Sequence, residues 1–122
     1  MPMTKQQIAE GIYDWFFVKD NPRSAKGIRC FYRGETENHR CAVGCLIPDE
    51  LYVRAMENVS VDGLFHDYPE IAEHFGKDNL DFLTGCQHWH DEYSKGSLVG
   101  IFQDHGIDTS KMPLLTSNAR WS

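Results

Sequence analysis

One stretch constrains this chain more than any other: Cys30 to Tyr52, reading CFYRGETENHRCAVGCLIPDELY. Cysteines, aromatics, basic residues and turn formers crowd together there in a definite order. Ile28, Cys30 and Tyr32 alternate with Arg29, Phe31 and Arg33, the period of two that marks a strand. Gly34 to Asn38 is a polar break with turn chemistry. His39 to Val43 reads as the return strand. Residues 28–33 and 39–43 are therefore expected to form a small β-hairpin. Pairing Arg33 with Asn38 sets Cys30 opposite Cys41; a slip of one residue sets it opposite Ala42. Ala42 to Ile47 is an apolar run too continuous for a solvated edge, and it is expected to be a buried join into the helical part. Pro48 suits a first helical position, and Asp49 and Glu50 suit the positive end of a helix dipole.

Helical periodicity dominates the rest of the chain. Thr4 and Gln7 fit a capping box for a helix reaching Val18, with Ile8, Ile12, Trp15 and Phe16 on its apolar face. Asn21-Pro22 stops it. Leu51, Tyr52, Ala55 and Met56 suggest a short amphipathic helix after Pro48. Val61, Leu64 and Phe65 suggest another, capped by Ser60. Pro69 opens a helix that Gly76 closes. Asp78 or Asn79 caps the longest later helix, Leu80 to Tyr93, whose wide stripe (Leu80, Phe82, Leu83, Cys86, Trp89, Tyr93) marks it as central. Leu98, Ile101 and Phe102 face inward from a last helix that Gly106 ends. The expected fold is α+β and mostly helical: five or six helices, several of them short, around the hairpin. Residues 1–107 form the expected single domain. Residues 108–122 form a tail that Leu114, Leu115 and Trp121 could dock.

Length and composition agree with one folded domain. The chain has 122 residues, 41% of them hydrophobic and 12% aromatic, enough for a real core. No early basic-then-apolar segment suggests secretion, and no apolar run approaches the ~20 residues of a membrane span. Four cysteines without a signal segment point to a reducing, cytoplasmic setting. The net charge is −6, unevenly spread. Residues 19–40 hold six basic and three acidic side chains; residues 41–108 hold three basic and thirteen acidic. Such asymmetry can steer a charged partner, although a solvated acidic surface also serves solubility alone.

The central stretch resembles a family of small proteins found in tailed bacteriophages and bacterial genomes. The matching residues are Cys30-Phe31-Tyr32-Arg33-Gly34, Arg40-Cys41-Ala42-Val43-Gly44 and Leu46-Ile47-Pro48-Asp49-Glu50, with His90-Asp91 further on. The resemblance is firm over this stretch and loose elsewhere. It implies a phage or prophage origin and a compact intracellular protein, and it transfers no catalytic residue.

Four kinds of chemistry are open to the side chains. Cys30, His39, Cys41 and Cys45 are zinc-ligand types, but they lack the two close pairs of a ribbon or finger, and buried cysteines commonly act as small hydrophobes. No bound cofactor is therefore expected, with zinc as the alternative. His88, His90 and Asp91, with His66 or His74, could serve a small metal-dependent hydrolase; the competing reading makes His90 a satisfied histidine tying helices together. Cys41 or Cys45 with His39 could form a nucleophile pair, without a recognised signature. Arg29, Phe31, Arg33 and Arg40 interleave charge and aromatic surface, as a nucleotide site would. The acidic balance opposes loose binding to duplex DNA, and no glycine-rich phosphate loop is present.

The favoured expectation is an accessory protein that binds a host or phage macromolecule, a protein above all, and so counters a defence or redirects an enzyme. Asp49, Glu50, Glu57, Asp62, Asp67, Glu70 and Glu73 would form its acidic partner-binding face. A metal-dependent hydrolase at His88, His90 and Asp91, and a small-nucleotide binder at Arg29, Arg33 and Arg40, are the alternatives. Homo-oligomerisation is left open.

Overall fold

Thr4 starts the first helix. Its Oγ1 accepts from the Gln7 N–H at 3.1 Å, and Gln7 Oε1 accepts from the Thr4 N–H at 2.9 Å, the reciprocal capping box the sequence predicts. Helix α1 runs Lys5–Tyr13 and continues as a π-helical turn, Asp14–Val18. The Lys19 N–H closes that turn on the Asp14 carbonyl at 2.9 Å. A wider turn rotates the chain less per residue, so the neighbours Phe16 and Phe17 both reach the core while Trp15 stays half-buried. The structure, a computed structural model, describes residues 2–19, 21, 25–26, 29–30, 32, 40–57, 59–92 and 98–117.

The α+β expectation is corrected here: the described residues make a helical fold. Residues 41–43, expected as the return strand, begin a helical turn instead. The Cys45 N–H bonds the Cys41 carbonyl at 2.9 Å, the Leu46 N–H bonds the Val43 carbonyl at 3.0 Å, and Gly44–Leu46 is a 3-10 helix. Among the described residues the strand pairing is two residues a side, Ala25–Lys26 against Arg29–Cys30, with Ala25 opposite Cys30 and Lys26 opposite Arg29. That ladder is too short to make a sheet, and it gives Cys30 a partner other than Cys41. The expected turn from Gly34 to Asn38 lies outside the described residues. The physical reason for the error is the apolar run itself. A short continuous run fits a buried strand and a buried helical turn equally well.

A second correction follows Pro48. The Leu51 and Tyr52 N–H groups both bond the Pro48 carbonyl, at 3.0 and 3.2 Å. Val53 is then extended, and Arg54–Met56 is a 3-10 helix. The expected amphipathic helix is thus a turn and a short 3-10 segment, with Met56 buried and Ala55 exposed.

The later helices follow their local signals. Ser60 Oγ accepts from the Gly63 N–H at 3.0 Å and starts α2, Val61–Asp67. Pro69 opens α3, Pro69–Phe75, which ends at Gly76 with φ of 88°, a backbone state that glycine adopts freely. A 3-10 turn, Lys77–Asn79, leads into α4, Leu80–Glu92. Asn79 was expected as an α4 cap. Its side chain turns back instead, donating to the Phe75 and Met3 carbonyls at 2.7 and 2.8 Å and accepting from Lys5 Nζ at 3.0 Å. One buried amide thereby ties the N-terminus, α1 and the end of α3 together.

Helix α4 is central. Phe82, Leu83, Cys86 and Trp89 are all buried. Trp89 meets Phe16 edge-on, with ring centroids 5.5 Å apart, and lies nearly parallel to Phe17 at 6.2 Å. Aromatic pairs in this range add attraction beyond their buried area. Helix α5, Leu98–Asp104, buries Leu98 and Phe102, the latter against Phe82. Helix α6, Leu114–Ser117, follows. The segment before it is fastened to α1. Gln6 accepts from the Asp108 N–H at 2.9 Å and donates to its carbonyl at 3.0 Å; the Leu114 N–H donates to the Tyr13 hydroxyl at 3.1 Å. Met112 and Leu115 join the core. No described helix is long and apolar enough to cross a membrane.

Candidate functional site

Helices α2 and α3 bury Val61, Leu64, Ile71, Ala72 and Phe75. That choice of inner face leaves Asp62, Asp67, Glu70 and Glu73 exposed. Glu70 and Glu73 are three residues apart, so they are neighbours on the helix surface. Asp49 and Glu50 are exposed as well. The side chains of Glu50, Asp62, Glu70 and Glu73 make no hydrogen bond or close ion pair among the described residues. Asp67 bonds His66 Nδ1 at 2.8 Å. That bond and the Asp67 charge raise His66 above its ordinary value, and Asp62 adds to the shift.

Glu57 stands apart from the expected acidic face. It is half-buried, accepting from the Tyr32 N–H at 3.0 Å and from the Tyr52 hydroxyl at 2.5 Å. Tyr32 in turn donates its hydroxyl to the Val59 carbonyl. Glu57 therefore fastens the chain at Tyr32 onto the 52–59 segment and presents little charge outward.

Of the basic set, Phe31 and Arg33 and the side chain of Arg29 lie outside the described residues. Arg40 is described and sits against Trp15, its guanidinium carbon 5.5 Å from the ring centroid. Lys19 Nζ lies 5.8 Å from the same ring. Two cations thus share one indole, each favoured by the ring's negative face. Lys19 is 3.4 Å from Asp14, and Arg40 Nη2 is 3.8 Å from Asp49. The Arg40 side chain is only 18% exposed. Its Nε–H and the Trp15 Nε1–H are the buried side-chain donors left without an acceptor among the described residues. Such a group ordinarily costs about 1–3 kcal/mol. Nothing local in the sequence links residues 15 and 40, so sequence reading missed their stacking.

Of the zinc set, Cys41 and Cys45 have described side chains. His39 and the Cys30 side chain lie outside the described residues. Cys41 Sγ accepts from the Gly44 N–H and the Cys45 thiol donates to the Ala42 carbonyl, both at 3.2 Å. Cys41 and Cys86 lie close enough to Cys45 to disfavour its thiolate, yet burial is the main reason its thiol sits well above the ordinary value. Burial alone pushes Cys86 up as well. Cysteines in this state are poor nucleophiles. Among the described residues no three His, Cys, Asp or Glu side chains are grouped so as to hold a metal ion.

The histidines of the hydrolase alternative are scattered. His90 is fully buried beside Phe16, with ring centroids 5.6 Å apart. His88 is exposed on another side of the same helix. His74 Nε2 is 3.1 Å from the Leu46 carbonyl and His66 is engaged by Asp67. The Asp91 side chain lies outside the described residues.

Comparison with family models, with curated proteins and with solved structures found no match to this chain.

Proposed function

We propose that this protein is a phage-type accessory protein that works in the host cytoplasm by binding another protein through its acidic α2–α3 surface. The carrying observation is the set of exposed carboxylates at Asp62, Asp67, Glu70 and Glu73, three of which make no side-chain hydrogen bond or close ion pair among the described residues. Glu50 extends the set in sequence, whereas Glu57 serves the interior. Exposed like charges raise association rates with an oppositely charged surface and lend partner choice. A basic surface, such as one that ordinarily meets nucleic acid, is the complementary partner. Inhibition of a host enzyme or defence protein by covering that surface is the corresponding biological action. The resemblance of residues 30–50 to small phage proteins supports the setting.

The test is affinity capture from a bacterial lysate with wild type and with a Asp62→Lys, Glu70→Lys, Glu73→Lys variant whose folding is checked by circular dichroism. Proteins retained by wild type should be lost from the variant, and their retention should weaken as salt rises. An identical captured set for both chains would overturn the acidic-surface reading.

A further inference from the structure

We infer that Trp15, Lys19 and Arg40 form a binding subsite for an oxyanion, a phosphate or carboxylate group, separate from the acidic α2–α3 surface. The argument starts from two donors with nothing to donate to. Arg40 Nε–H and Trp15 Nε1–H are buried and have no acceptor among the described residues. Buried N–H groups in folded proteins are nearly always satisfied, so two orphans in one contact call for a cause. They belong to side chains stacked on each other, the guanidinium carbon 5.5 Å from the indole centroid.

The surroundings select the class of acceptor. Lys19 adds a second positive charge 5.8 Å from the same ring. The nearby carboxylates neutralise little of this. Asp49 approaches Arg40 only to 3.8 Å and is 80% exposed, while Lys19 and Asp14 are both more than half exposed at 3.4 Å. A neutral acceptor would satisfy the two N–H groups but leave this positive charge unused. An oxyanion would satisfy both, because guanidinium and carboxylate or phosphate oxygens form short charge-assisted bonds. The segment that includes Lys19 and Arg40 is the basic one, six basic against three acidic residues over 19–40 in a chain of net charge −6.

Indole fluorescence and thermal denaturation read the site directly. Wild type is titrated with inorganic phosphate, pyrophosphate, a nucleoside monophosphate and citrate, each against chloride at matched ionic strength. At least one oxyanion is expected to raise the melting temperature with a logarithmic dependence on concentration and to shift the indole emission. Phosphate and pyrophosphate alone, the nucleotide alone, or citrate alone then identifies which source carries the group. The emission shift should vanish in Trp15→Phe. Stabilisation should be lost in Arg40→Gln and weakened in Arg40→Lys, which keeps the charge but loses the Nε donor. It should persist in Lys77→Gln, on an exposed cation elsewhere. If Arg40→Gln does not fold, the Arg40→Lys and Trp15→Phe responses decide. No response to any oxyanion in wild type, or an equal response in all variants, overturns the assignment. Neither result bears on capture through α2–α3.

Discussion

Gly44 shows how a single position can fix a local path. A Cβ built there would stand 2.0 Å from the Tyr32 carbonyl oxygen and 2.6 Å from its carbon. Both obstacles are backbone, so no side chain can swing aside. Gly44→Ala is expected to destabilise the fold by about 3 kcal/mol, the upper end of ordinary overpacking. Urea denaturation should show a lower midpoint at unchanged slope. Gly85 is the contrast. The nearest atom to its Cβ would be Ile101 Cγ2 at an ordinary 3.6 Å, and a helical Gly→Ala change usually helps. Gly85→Ala should therefore be neutral or stabilising, and a loss equal to that of Gly44→Ala would refute the steric account. At this scale the sequence was only partly legible. Gly44 stood inside a suspicious motif, but its reason, the close passage of Tyr32, depends on a contact twelve residues away along the chain.

Elements were legible where their signals are local. Thr4 with Gln7, Ser60, Pro69 and Gly76 mark helix ends by hydrogen bonds or backbone states spanning at most four residues, and the structure uses each as expected. The stripe of α4 was visible because burial on one helix repeats with the helical period. Residues 41–43 were misread as strand because all three are buried, which erases the periodicity that separates strand from helix. Helix α2 also carries a charge arrangement with a consequence in pH. Asp67 and Asp62 favour the charged form of His66. A raised value in the folded state means that this stabilisation is complete below the ordinary histidine range. It is lost as pH rises through the folded value. Proton NMR should find His66 titrating above its ordinary value of 6.5, and Asp67→Asn should bring it back down. An unshifted His66 in wild type would contradict the observed bond.

For the whole molecule, the segment that follows residue 107 is joined to the rest of the chain. Met112 and Leu115 are in the core, and Gln6 and Tyr13 are bonded to Asp108 and Leu114. A chain ended after Ile107 loses two buried apolar side chains, each worth about 1.5–3 kcal/mol. It should melt at a markedly lower temperature, with the drop read by calorimetry; an unchanged melting temperature would show that the segment is a dispensable appendage. Sequence reading could propose docking from Leu114 and Leu115, but the site of docking depends on contacts about a hundred residues apart, which no local pattern encodes.

The fastening of Asp108 and Leu114 to the first helix also orders events during biosynthesis. Gln6 and Tyr13 leave the ribosome 102 and 101 residues ahead of the groups that bond them, Asp108 and Leu114. Until then Tyr13 and Phe17, which stack with centroids 5.6 Å apart, present an aromatic surface without its final cover. Closure of this part of the fold therefore waits until Leu114 has left the ribosome.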